Sequence, residues 1–134
     1  MMKHTILILF LFLSLLCHGQ SYKFFTTDRE LSSSLINKIY QDRNGMIWIA
    51  TEDGLNRYDG AKFITYKHDP ENEYSLCHNY VRVLYEDSKG RLFVGTYNGI
   101  QLYDPETDSF SARAQWEDGK TFDSNIMSIL ERRN

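Results

Sequence analysis

The 21 residues at 39–59, IYQDRNGMIWIATEDGLNRYD, return at 84–104 as LYEDSKGRLFVGTYNGIQLYD, and no gap is needed to align them. The offset is 45 residues throughout: Asp42 falls on Asp87, Gly45 on Gly90, Thr51 on Thr96, Gly54 on Gly99, Tyr58 on Tyr103 and Asp59 on Asp104. A third copy opens at the same spacing, with Ser34, Ile36 and Ile39 matched by Ser124, Ile126 and Ile129. Self-similarity at a period of about 40–45 residues marks a repeat architecture, and each unit then has faces that only its neighbours can cover.

Within a unit the pattern is that of strands. Residues 36–41 carry apolar anchors at Ile36 and Ile39, and Asp42-Arg43-Asn44-Gly45 is a compact turn in which glycine supplies a positive φ. Residues 46–51 are too apolar for a strand with one wet face and must be buried on both sides. Glu52-Asp53-Gly54 turns the chain into a third strand over 55–58, and Asp59-Gly60 leads to a fourth over 61–67. The second unit repeats this plan over 80–86, 91–96 and 100–103, with a longer turn at 104–108 before Phe110. Four antiparallel strands in about 45 residues make one propeller blade. The expected fold is all-β: a β-propeller fragment of two four-stranded blades plus the first strand of a third, preceded by a signal peptide. Blade 1 is assigned to residues 35–67, a connector to 68–79, blade 2 to 80–114, and a second connector with the start of blade 3 to 115–134. Residues 20–34 comprise a short aromatic strand over 21–27 and the connector that follows it.

The first 19 residues read as an export signal. A short basic start at Lys3 and His4 precedes an apolar run over 6–16, and Cys17-His18-Gly19 places small residues where a signal peptidase cuts, predicting cleavage after Gly19. That leaves Cys77 as a single cysteine without an internal disulfide partner, a half-buried bystander rather than a reactive thiol. A net charge of −3 and no Lys/Arg cluster give no footprint for nucleic acid.

No motif for a nucleophile, a phosphate-cradling loop or a metal is found, and no cofactor is expected. Asp42 and Asp87 are read as turn residues, Trp48 and Phe93 as packing between blades, and His68 and His78 lack the ligand cluster a metal requires. Glu52 with Asp53, or Glu71 with Glu73, are solvated neighbours rather than an acid–base pair. Antiparallel order puts the 42–45 and 59–60 turns at one end of a blade. The opposite end then carries Glu52, Asp53, Tyr97, Asn98 and the connectors around Tyr74 and Trp116. Turns and connectors are where a rigid scaffold presents ligand contacts, and aromatic faces beside amides and carboxylates suit a carbohydrate. These six residues are the candidate ligand site.

The recurring pattern carried by Ile39, Asp42, Gly45, Ile47, Trp48, Ile49, Thr51, Gly54, Leu55, Tyr58 and Asp59, and again by Leu84, Asp87, Gly90, Leu92, Phe93, Val94, Gly95, Thr96, Gly99, Tyr103 and Asp104, resembles the two-component regulator propeller repeat. Such repeats are known from the periplasmic sensor regions of Bacteroides-type hybrid histidine kinases. The resemblance implies an N-terminal piece of an exported sensor anchored in the inner membrane through its parent, which detects an oligosaccharide and signals to a kinase outside this chain. Members of that family carry many blades, an immunoglobulin-like domain, a membrane span and kinase and regulator domains. The remaining blades and kinase regions are thus the implied partners, together with self-association of the parent. The third copy departs from the pattern at Arg132, where Asp42 and Asp87 stand in the others. The alternatives are a secreted protein-interaction scaffold and a glycan-active propeller enzyme.

Overall fold

The computed structural model describes residues 22–27, 30–111, 114, 119–120 and 124–132. The export signal and Trp116 lie outside the described residues. Eight strands form two antiparallel sheets, each ordered as its strands follow in the chain. Blade 1 comprises β1 (Ile36–Gln41), β2 (Ile47–Thr51), β3 (Gly54–Tyr58) and β4 (Phe63–Tyr66). Blade 2 comprises β5 (Val81–Glu86), β6 (Leu92–Thr96), β7 (Gly99–Asp104) and β8 (Ser109–Phe110).

The repeated residues build the repeated geometry. Asp42 Oδ1 accepts from the amides of Asn44 and Met46 at 2.9 and 3.0 Å, and Asp87 Oδ1 accepts from those of Lys89 and Arg91 at 3.0 and 2.9 Å. The carboxylate thereby closes the turn into which Gly45 and Gly90 bring their positive φ. At the other end Thr51 and Thr96 each donate from Oγ1 to the carbonyl of the glycine three residues on, and accept from the amide between. Gly54 and Gly99 sit at φ of 127° and 117°, a region closed to other residues. Asp42 and Asp87 thus hold the turns, as the sequence indicates.

Between the blades lies the core. Trp48, Ala50 and Leu55 of blade 1 pack with Val81, Leu84, Leu92, Val94, Tyr103 and Phe110 of blade 2, and Leu76 of the connector closes the cluster. Val81 and Leu84 are 0% and 4% exposed. Their counterparts in blade 1 were expected to be anchors, yet Ile36 and Ile39 are 43% and 58% exposed. The strand is right and its burial is not, because an anchor on the first strand of a blade is covered by the blade before it. Burying one such side chain is worth about 1.5–3 kcal/mol.

Two further elements differ from expectation. Residues 22–27 form no strand; they are held by side chains, with Phe25 packed on Tyr58 and Phe63 at 5.1 and 4.9 Å and Lys23 Nζ donating to Tyr58 Oη. Phe93 is half-buried where its counterpart Trp48 is 1% exposed. The third copy lies against this face in register. Gly99 N donates to Ser124 O and Ile126 N to Thr96 O, while Ile126 packs so close to Gly95 that an added Cβ would sit 2.8 Å from it. No described strand flanks residues 124–131 on their far side, and they carry no ladder of their own.

Candidate functional site

A 45-residue offset also governs the seams between units. Tyr40 Oη donates to Glu86 at 3.0 Å and Tyr85 Oη to Glu131 at 3.3 Å, and the same carboxylates accept the amides of Arg43 and Ser88. Ser32 and Cys77 occupy matching places: the amide of each donates to a buried side-chain carbonyl, of Asn56 or Gln101, and each side chain contacts the threonine of its turn. Residues that recur in this way are framework. Residues that do not recur, yet gather in one place at a turn end, are the candidates for a function specific to this chain.

They gather at the end of the blades that carries the β2–β3 and β6–β7 turns. Tyr80 Oη donates to Glu52 Oε1 at 2.9 Å, and the Tyr80 ring lies 6.2 Å from that of Tyr97, which in turn lies 5.6 Å from His78. Asp53 takes Lys67 Nζ at 2.6 Å and Asn79 Nδ2 at 3.2 Å, and Asn79 Oδ1 accepts the His68 amide. Asn98 follows Tyr97 on its turn, its amide held by Thr96. Unit 1 has Ser33, Leu35, Glu52 and Asp53 where unit 2 has His78, Tyr80, Tyr97 and Asn98, so none of these is demanded by the blade itself. Tyr97 is 55% exposed, and its ring is available to stack on a partner.

A second cluster ties the blades across the core. Asp108, in the longer turn of blade 2, accepts from Arg57 at 2.7 Å, Tyr66 Oη at 2.5 Å and Tyr103 Oη at 2.7 Å, and Arg57 also donates to the Tyr103 hydroxyl. Burial, then the bond to Asp108, pushes the Tyr66 phenol well above its ordinary range, and burial takes Tyr103 up to about 12. Burial opposes ionisation of Asp108, but the Tyr66 and Tyr103 hydroxyls and the Arg57 charge outweigh it and hold the carboxyl below its usual value. With every acceptor engaged, this is a fastening rather than a ligand site.

Known proteins share this plan. The two component regulator propeller family matches residues 30–53 and 75–98, two segments set 45 residues apart. Both segments are similar to the two-component regulator propeller repeat. The extracellular domain of a Bacteroides thetaiotaomicron hybrid two component system superposes with a TM-score of 0.64 at 32% identity, over 77% of this chain and 15% of that one. A second B. thetaiotaomicron extracellular domain, 24% identical with a TM-score of 0.56 over 70% of this chain and 14% of its own, shares the fold. Histidine kinase P4 of Formosa agariphila is 40% identical over 73 residues, which are 52% of this chain and 5% of that protein. The chain therefore spans a small part of each relative.

Against the propeller repeats the expected site residues sort clearly. Glu52, Asp53, Tyr97 and Asn98 lie at one end, with Tyr80 and His78 joining them through direct contacts. Tyr74 does not join them. Its carbonyl accepts the Phe110 amide, which points away from β7 on the edge strand β8, so this part of the connector lies along the blade edge. There Tyr74 lines a separate groove with Arg91, Leu102, Pro105 and Phe110, beside the turns of the opposite end.

Proposed function

We propose that the chain is part of the extracytoplasmic ligand-sensing propeller of a hybrid two-component sensor kinase, exported to the periplasm, and that the end bearing Glu52, Tyr80 and Tyr97 recognises an oligosaccharide. One observation carries the site: aromatic faces, carboxylates and an amide from positions where the two units differ collect at one end of the blades. A pyranose packs its C–H face on an aromatic ring and needs directional partners for its hydroxyls. Tyr97 offers the ring, and Glu52, Asp53 and Asn98 offer the partners. The sensor context is supported by the B. thetaiotaomicron extracellular domain, the Formosa agariphila kinase and the repeat family itself. Signalling to a kinase and anchoring in the inner membrane belong to the longer protein that this context implies.

The test is titration of the chain with a panel of neutral and acidic oligosaccharides, followed by intrinsic fluorescence and calorimetry. Saturable binding without turnover is expected, weakened about tenfold or more by Tyr97→Ala, in line with about 1.4 kcal/mol per tenfold. Release of a shortened sugar would favour a glycan-active enzyme instead, and no binding across the panel would leave the protein-scaffold alternative.

A further inference from the structure

Arg82 is the second residue of β5 and the extra residue of a bulge there: Val81 pairs with Thr96 and Val83 with Gly95, leaving Arg82 unpaired between them. Bulges re-aim a side chain and are over-represented beside functional sites. The same bulge interrupts β1, where Asn37 holds the matching place and its Nδ2 donates to the Val81 carbonyl at 2.8 Å, tying blade 1 to blade 2. Arg82 also reaches the next unit, but onto a thioether rather than a carbonyl. Its Nη1 meets the Met127 thioether at 2.8 Å, and its guanidinium lies 5.3 Å over the Tyr80 ring. Sulfur in a thioether is a weak acceptor and cannot balance a full charge. Arg43, Arg57 and Arg91 each pair with a carboxylate at 2.5, 2.7 and 2.6 Å. Among the described residues no carboxylate pairs with Arg82. The two acids at the same end are already committed, Glu52 to the Tyr80 hydroxyl and Asp53 to Lys67 and Asn79.

A cation re-aimed by a bulge, stacked on an aromatic ring and paired with no carboxylate among the described residues is arranged for an anion brought from outside. We propose that Arg82 is an anion subsite of the saccharide end, taking the carboxylate of a uronic acid or the sulfate ester of a sulfated sugar whose ring packs on Tyr97. Either anion presents two oxygens that match two parallel N–H donors of the guanidinium, and stacking on Tyr80 keeps that fork oriented. The proposal rests on the saccharide reading above and adds to it the charge of the ligand.

Three probes separate the possibilities: a glucuronic-acid-containing tetrasaccharide, its carboxyl-reduced neutral counterpart, and a galactan tetrasaccharide bearing sulfate esters. At least one anionic probe is expected to bind about tenfold more tightly than the neutral one, a preference that shrinks as salt is raised. Which anion shows it identifies the source. Arg82→Gln should remove that preference without weakening the neutral probe, Arg82→Lys should restore part of it, and Tyr97→Ala should weaken all three alike. Equal binding of neutral and anionic probes, or a preference that survives Arg82→Gln, overturns the anion subsite and leaves the saccharide reading standing. Failure of all three probes to bind overturns both.

Discussion

Asp108 shows how much one side chain outside the repeat can carry. It stands in the added length of the β7–β8 turn, and its carboxylate gathers Arg57 and Tyr66 from one blade and Tyr103 from the other. The position matching Arg57 in the second unit is Leu102, so the fastening belongs to this blade pair alone. Asp108→Ala is expected to cost about 1.5–3 kcal/mol, the range for hydrogen bonds to a charged group, read as a lower urea midpoint. Paired with Arg57→Leu in a double-mutant cycle it should show coupling above about 0.5 kcal/mol; strict additivity would mean that the contact holds nothing. The pH dependence follows with a definite sign. Asp108 has a depressed folded value, so its contribution is present above the ordinary carboxylate range near about 4 and is lost as pH falls through the folded value. Tyr66 and Tyr103 have raised folded values, so theirs is present below about 10 and is lost as pH climbs through the folded values. Denaturation of the native chain and of Asp108→Ala should therefore differ most at neutral pH and converge at both extremes.

At the scale of the element, the turns decide what each strand can be. A Cβ on Gly54 would stand 2.8 Å from the Tyr66 carbonyl oxygen, whereas one on Gly45 would meet nothing within 4 Å, although both glycines have positive φ. Gly54→Ala combines a backbone penalty with a clash and is expected to cost about 3 kcal/mol or more, against about 1–2 kcal/mol for Gly45→Ala. Equal losses in chemical denaturation would show that close packing at the β2–β3 turn is unimportant. This contrast also marks what the sequence could reveal. The spacing of Asp42, Thr51 and Gly54 against Asp87, Thr96 and Gly99 is local and periodic, so strands and turns were legible from it. Burial of Ile36 and Ile39 was not, because it depends on a neighbouring unit and not on the strand that carries them. Residues 22–27 have strand-forming aromatics but attach through Phe25 and Lys23, a tertiary choice that propensity does not encode. The placement of Glu52, Asp53, Tyr97 and Asn98 at one end of the blades followed from antiparallel order. Tyr74 lies elsewhere because the backbone bond from Phe110 holds its connector along the blade edge. Tyr80, His78 and Arg82, which the proposed site adds, were not singled out, although comparison with Leu35, Ser33 and Asn37 at the same offset marks all three as departures from the repeat.

For the whole molecule the dominant fact is an uncovered face. Leu35, Ile36 and Ile39 stand 58%, 43% and 58% exposed on blade 1 in the places where blade 2 presents Tyr80, Val81 and Leu84 to a neighbour. Leu130, at 89%, adds an apolar side chain beyond the other blade. Surfaces of this kind drive association, and the chain is expected to self-associate in the micromolar range. Ile39→Asp, a change at an exposed position, should suppress association without loss of β-sheet circular dichroism. A native chain that sediments as a monomer at all concentrations would sink the idea. The seams explain how such a molecule can change length. Tyr40 reaches Glu86 and Tyr85 reaches Glu131, so each junction is written between residues 46 apart in a sequence of period 45. Removing residues 41–85 would bring Tyr40 to the spacing at which Glu131 answers it, and inserting another 45 would create one more identical junction. The unit of inheritance in this protein is thus a whole blade together with half of the bond to the next, and its gene can gain or lose a blade by copying without redesigning the tyrosine–glutamate junction.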